Sequence, residues 1–340
     1  MVIAYKNKLG SLIILRGIAA LLVCFCHFAK PLSVGYSYAG IFYFINAYGK
    51  YGVEMFFVIS GFVIPLSFDN GEYRIRDYFT FLYKRLIRLH PAYIATILLT
   101  LIITYLSFKQ KQLPFPETFE SVFNSLFYFE NLGLNVVFWT LRIEAEYYLF
   151  IGLFFILLKK HRTLALFIVI PLLLLASQYS TFDSIELLRH LVFFLIGTIG
   201  YLIYSKQGDR FHNYFYLIGL IIFSFIYTSI PGILDSVPAA IAGLFTIIFI
   251  LKYKGKSYIL FDFFGKISYS LYLVHYPIAK QLIRLMMRFL PASIAWVLFL
   301  VPFIIILPIA WLFYKYIEHP SEQISKKINY SQAKISQQAV

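Results

Sequence analysis

Ten apolar stretches of about helix-spanning length recur along the 340 residues, at roughly 11–29, 51–68, 89–108, 136–158, 163–179, 190–204, 214–230, 237–251, 267–288 and 294–316. A soluble domain has no layer in which to hide so many. A bilayer accepts them, because a helix satisfies its own backbone hydrogen bonds. The 60% hydrophobic content and a mean hydropathy of +0.76 agree. The expected fold is therefore all-α: a polytopic transmembrane helix bundle of about ten spans. The polar stretches between spans, the longest running from Lys109 to Asn135, are too short to build a soluble core of their own. Residues 1–320 are expected to form one integral-membrane domain, and residues 321–340 a disordered cytoplasmic tail.

With the N-terminus placed inside, twenty of the thirty Lys and Arg residues fall on the cytoplasmic side. That bias puts both termini in the cytoplasm. The net charge of +14 then follows from topology and anionic headgroups, and calls for no nucleic-acid partner. Cys24 and Cys26, two apart on one helix, point to different sides. The spacing of His, Cys and carboxylates suggests neither a metal site nor a redox cofactor.

Ionisable residues inside spans are costly, so they mark sites where the bundle encloses a polar path. Arg16 and His27 are eleven residues apart in the first span, about 20° apart in direction and roughly 16 Å along the axis. Counting rise per residue, Arg16 lies about 8 Å from the inner side, and His275 about 11 Å from it. Arg142 and Glu144 lie about 9 and 12 Å in from the outside. His27 and Glu54 sit near the outer ends of their spans. Arg85 and Arg88 open the third span at the cytoplasmic interface, one turn apart on one face. Plainer readings exist. Arg85 and Arg88 suit interface anchors, Glu54 suits headgroup contact, and His275 among Tyr269, Tyr272 and Tyr276 suits interhelical hydrogen bonding. Trp139, Tyr147 and Tyr148 beside Glu144 have the chemistry to line a sugar cavity.

Taken in order, several segments resemble the membrane-bound acyltransferase family three. They are LRGIAALLVCFCHF (Leu15–Phe28), GVEMFFVISGF (Gly52–Phe62), YKRLIRLHPAY (Tyr83–Tyr93), WTLRIEAEYYL (Trp139–Leu149), SYSLYLVHYP (Ser268–Pro277) and YIEHP (Tyr316–Pro320). The resemblance covers about residues 10–320. It departs from the family pattern at Thr140, where Ser is usual, at Arg142, where a neutral residue is usual, and at Tyr147, where Phe is common.

The resemblance implies transfer of an acyl group, commonly acetyl, from cytoplasmic acyl-coenzyme A to a carbohydrate hydroxyl at the outer face of a bacterial cytoplasmic (inner) membrane. Acceptors of this kind include a surface polysaccharide, a lipopolysaccharide and a lipid-linked glycan. Members often carry an extracellular esterase-like domain, and none is expected here. Arg85, Arg88 and Arg16 are the expected coenzyme A contacts, because guanidinium forks suit phosphates. His27 is the expected general base, with Glu144 or Glu54 orienting its ring. Arg142 or Tyr148 is the expected oxyanion donor, and Trp139, Tyr272 and His275 support the site. Direct transfer and an acyl-His27 intermediate both remain open at this stage, as does oligomeric state. A secondary transporter with an Arg/His/Glu relay, and a non-catalytic scaffold, are the readings from other classes.

Overall fold

A computed structural model describes residues 10–179, 184–226, 236–256 and 258–330, and no strand occurs among them. The chain is an all-α membrane bundle. Its helices are α1 (Gly10–Ala29), α2 (Ala39–Gly49), α3 (Gly52–Asn70), α4 (Tyr78–Gln110), α5 (Phe119–Leu126), α6 (Trp139–Lys160), α7 (Arg162–Leu164), α8 (Ile170–Ala176), α9 (Glu186–Tyr204), α10 (Arg210–Ile226), α11 (Ser236–Lys252), α12 (Ile259–Met286), α13 (Ala295–Phe313) and α14 (His319–Lys326). A π turn, Tyr314–Glu318, joins α13 to α14.

Over its described residues each of the ten apolar windows is mainly helical; residues 227–230 of the 214–230 window lie outside the described residues. Five coincide with helices long and apolar enough to cross a bilayer, and three with shorter apolar helices. The other two lie on α6 and α12, which have 22 and 28 residues but carry ionisable side chains along their length, Arg142, Glu144 and Glu146 among them. Residues 1–9 and 331–340, which hold the two termini expected inside, lie outside the described residues.

Close backbone approach holds the bundle together. Among lipid tails there is little hydrophobic drive for helix pairing, so small residues and interhelical hydrogen bonds replace it. On α12, a Cβ added to Gly265 would lie 2.5 Å from the Ile13 carbonyl oxygen of α1. Between α3 and α9, Gly61 and Gly197 each rest on the other helix's backbone, at Phe194 and Val58.

The same contacts repair proline breaks. Pro65 has no N–H, which frees the Gly61 carbonyl four residues earlier. The Thr198 hydroxyl donates to that carbonyl at 3.2 Å. Pro277 frees the Leu273 carbonyl in the same way. The Asn135 side-chain amide reaches it at 3.4 Å.

Two boundaries differ from the sequence reading. First, α4 begins at Tyr78, eleven residues before the apolar window, because charges lower hydropathy there without breaking the helix. Second, residues 321–330, expected as disordered tail, fold back on α4. The Ser325 hydroxyl donates to the Lys84 carbonyl at 2.9 Å, and Lys84 Nζ donates to the Ile328 carbonyl at 3.0 Å. Tyr330 is buried beside Tyr73. A buried aromatic and satisfied backbone groups give this segment what a disordered tail lacks.

Candidate active site

The early start of α4 changes where its arginines sit. Arg85 and Arg88 lie about 10 and 15 Å along the helix rather than at its mouth. There they line a cavity of about 960 Å³, including its open mouth, together with Arg16 of α1. Glu144 and Tyr148 of α6, Tyr269 and Tyr272 of α12, and Glu318 of the π turn add to its polar lining, with Ser60 and Thr140. Phe56, Phe57 and Val63 of α3 supply an apolar wall.

The polar groups are held unequally. The Tyr148 hydroxyl donates to a Glu144 carboxylate oxygen. Glu318 Oε2 accepts from the Ser270 backbone N–H at 3.1 Å and from its hydroxyl at 2.5 Å. Arg85 donates to the Ser67 hydroxyl at 3.2 Å, and its guanidinium stands 5.5 and 5.7 Å over the rings of Phe81 and Tyr148. By contrast, Arg16 and Arg88 form no side-chain hydrogen bond or ion pair among the described residues. The charges that act on Arg16 are those of Arg88, Glu318, Glu144 and Glu322. Three arginines against two lining carboxylates leave the cavity with one excess positive charge and two guanidinium forks open to an anion.

His27 lies outside that lining, in the last turn of α1. Its ring centroid is 5.3 Å from that of His275 and 5.2 Å from that of Tyr276. The longer α12 places His275 about 24 Å from the helix start, level with His27 rather than near the inner face. His275 is 0% exposed. Its Nδ1 meets the Leu271 carbonyl at 3.0 Å, and its Nε2 has no partner. Since a carbonyl only accepts, Nδ1 carries the proton and Nε2 keeps a lone pair. Tyr272 connects the two regions. It lines the cavity, its hydroxyl is 2.6 Å from that of Thr140, and its ring is 5.9 Å from that of His275.

Arg142, Trp139 and Glu54 stand apart from this arrangement. Arg142 pairs with Glu146 at 3.2 Å and Glu186 at 3.3 Å, which ties α6 to the start of α9. Trp139 packs on His190 with ring centroids 5.3 Å apart. Glu54 is buried in the first turn of α3, outside the cavity lining, and its Oε2 has no partner. Neither Glu54 nor Glu144 hydrogen-bonds to His27; the ring neighbours of His27 are His275, Tyr276 and no carboxylate. Glu318 was absent from the sequence candidates, because it follows the last apolar window and reads as the start of a tail. The signal available was its place in the YIEHP segment. No group of three His, Cys, Asp or Glu side chains that could hold a metal ion occurs among the described residues.

An acyltransferase domain of the acyltransferase 3 type matches residues 9–315. The chain belongs to the acyltransferase 3 family. No curated protein and no solved structure matches it. Family membership assigns acyl transfer rather than solute transport or a scaffolding role. This acyltransferase is a multi-pass membrane protein in which the match spans nearly all the described bundle.

Proposed function

We propose that this acyltransferase moves an acetyl or other short acyl group from acyl-coenzyme A, supplied at the cytoplasmic face, to a carbohydrate hydroxyl at the outer face of a bacterial cytoplasmic membrane. The observation that carries this reading is the cavity in which Arg16, Arg85 and Arg88, from two helices, face a common space with two of the three unpaired. Coenzyme A is a polyanion with a long, neutral pantetheine arm. Free guanidinium forks suit its phosphates, and the apolar wall of Phe56, Phe57 and Val63 suits the arm.

His27 is the general base. As the acceptor oxygen attacks the thioester carbon, the imidazole takes the hydroxyl proton. The carbon–sulfur bond breaks, and the departing thiolate recovers a proton from the imidazolium. The lone pair on His275 Nε2 offers an acceptor for the second N–H of that imidazolium, the role first expected of a carboxylate. Tyr272 stands between the cavity and the histidine pair, so its side chain must yield for the thioester to reach His27. The Tyr148 hydroxyl donates its one hydrogen to Glu144, so it serves as an oxyanion donor only by exchanging that partner for the developing oxyanion.

Donor binding tests the reading directly. Equilibrium titration of the purified protein with acetyl-coenzyme A should show saturable binding that coenzyme A competes for and that Arg88→Ala weakens at least tenfold (~1.4 kcal/mol). Equal binding by wild type and Arg88→Ala would remove the cavity from the donor path.

A further inference from the structure

A second concavity lies away from the arginine cavity, between α10 and α11, and is closed at one end by the α9–α10 connection. It measures about 3230 Å³ including its open mouth. Its walls are apolar: Ile218, Ile221 and Ile222 of α10 face Leu244, Ile248 and Leu251 of α11. Its rim is basic. Lys206 follows the end of α9, Arg210 is the first residue of α10, Lys252 is the last residue of α11, and Lys254 and Lys256 follow it.

Charge and length together restrict what this groove takes. None of the five rim cations pairs with a carboxylate among the described residues, and the nearest acid in sequence, Asp209, is turned to His212 at 2.7 Å. A second basic hollow nearby behaves differently: Lys159 there is neutralised by Asp69 at 2.6 Å. From Arg210 the apolar wall runs about 18 Å along α10 to Ile222. One leaflet contributes about half of a hydrocarbon core of about 30 Å. The groove is thus a cationic ring at headgroup level above an apolar trough about one leaflet deep. The sequence charge bias places that ring on the cytoplasmic side.

We propose that this groove is a binding site for an acidic phospholipid of the cytoplasmic leaflet. Its phosphate sits in the ring formed by Lys206, Arg210, Lys252, Lys254 and Lys256, and an acyl chain lies between α10 and α11. Lipid tails cover any apolar helix face in a bilayer. What distinguishes this site is selection by headgroup charge, because unpaired Lys and Arg at this level attract anionic lipid. The inference does not depend on the donor or acceptor of the transferase.

Native mass spectrometry of the full chain tests it, using micelles that contain equal amounts of phosphatidylglycerol and phosphatidylcholine with identical acyl chains. The wild type retains phosphatidylglycerol in preference, by about tenfold or more. Lys252→Gln/Lys254→Gln/Lys256→Gln, at three exposed positions, brings the ratio close to one without lowering the unfolding temperature. Lys109→Gln/Lys111→Gln, at the far end of α4, leaves the preference intact. Ile248→Trp, which fills the trough, lowers retention of both lipids. A wild-type ratio in the triple lysine variant overturns the proposal. Displacement of phosphatidylglycerol by excess inorganic phosphate also overturns it, since the ring would then be a site for free anions.

Discussion

His275 faces His27 across the α1–α12 interface with ring centroids 5.3 Å apart and planes inclined by 33°. The Leu271 carbonyl fixes the proton of His275 on Nδ1, so the lone pair on Nε2 is the one polar feature this buried ring has left. If His275 positions His27, then His275→Gln lowers kcat about ten- to a hundredfold, since small misplacements of a catalytic group cost that much. The KM for donor stays unchanged. His27→Ala loses about 10²–10⁴-fold. Steady-state kinetics with labelled acetyl-coenzyme A measures both, and a His275→Gln effect on donor KM alone would assign that residue to donor binding.

Arg85 and Arg88 share a cavity but not a set of partners. Arg85 is anchored by Ser67 and two aromatic faces, whereas Arg88 has no side-chain partner among the described residues. Arg85→Ala therefore costs stability, about 1–2 kcal/mol from the lost ring contacts, as well as donor affinity. Arg88→Ala costs affinity alone, with stability changed by less than about 0.5 kcal/mol. Thermal unfolding in detergent, read beside donor titration, separates the two.

Glu318 holds the end of α13 to α12 through both polar hydrogens of Ser270. Glu318→Ala removes the acceptor of the buried Ser270 hydroxyl, whereas the Ser270 N–H, inside α12, keeps its helical acceptor; the fold is expected to lose about 1–2 kcal/mol. Ser270→Ala, which removes only the hydroxyl, costs less. An unfolding temperature unmoved by Glu318→Ala would show that this bond contributes nothing.

Glycines in the bundle divide by what surrounds them. Gly61 rests on the backbone of Phe194, so Gly61→Ala forces α3 from α9 at a cost of about 1–3 kcal/mol. Gly219, inside α10, has nothing within 4 Å. Gly219→Ala is expected to stabilise by about 0.5–1 kcal/mol through helix propensity. Unfolding midpoints of the two variants should move in opposite directions.

Hydropathy made the helices legible, because only apolar segments of sufficient length satisfy a bilayer. Depth was less legible. Charges shortened the apolar windows at the starts of α4 and α12, which put Arg85 and Arg88 at the inner interface rather than inside the bundle, and His275 only about 11 Å from the inner side rather than level with His27. The shared face of Arg16 and His27 could be read from helical period. That Arg16 lines the cavity while His27 meets His275 depends on which neighbouring helix each reaches. Arg142 showed the same limit: one charge near the outer end of a span looks like a site residue until Glu146 and Glu186 are seen to hold it.

Acyl transfer across the membrane is the central claim, and sealed, oriented proteoliposomes test it most directly. Labelled acetyl-coenzyme A is supplied at the cytoplasmic face and a mixed glycan extract at the other. The account predicts label on glycan with wild type, none above background with His27→Ala, and none retained covalently on the protein. Glycan labelling that persists at the wild-type rate in His27→Ala would contradict it.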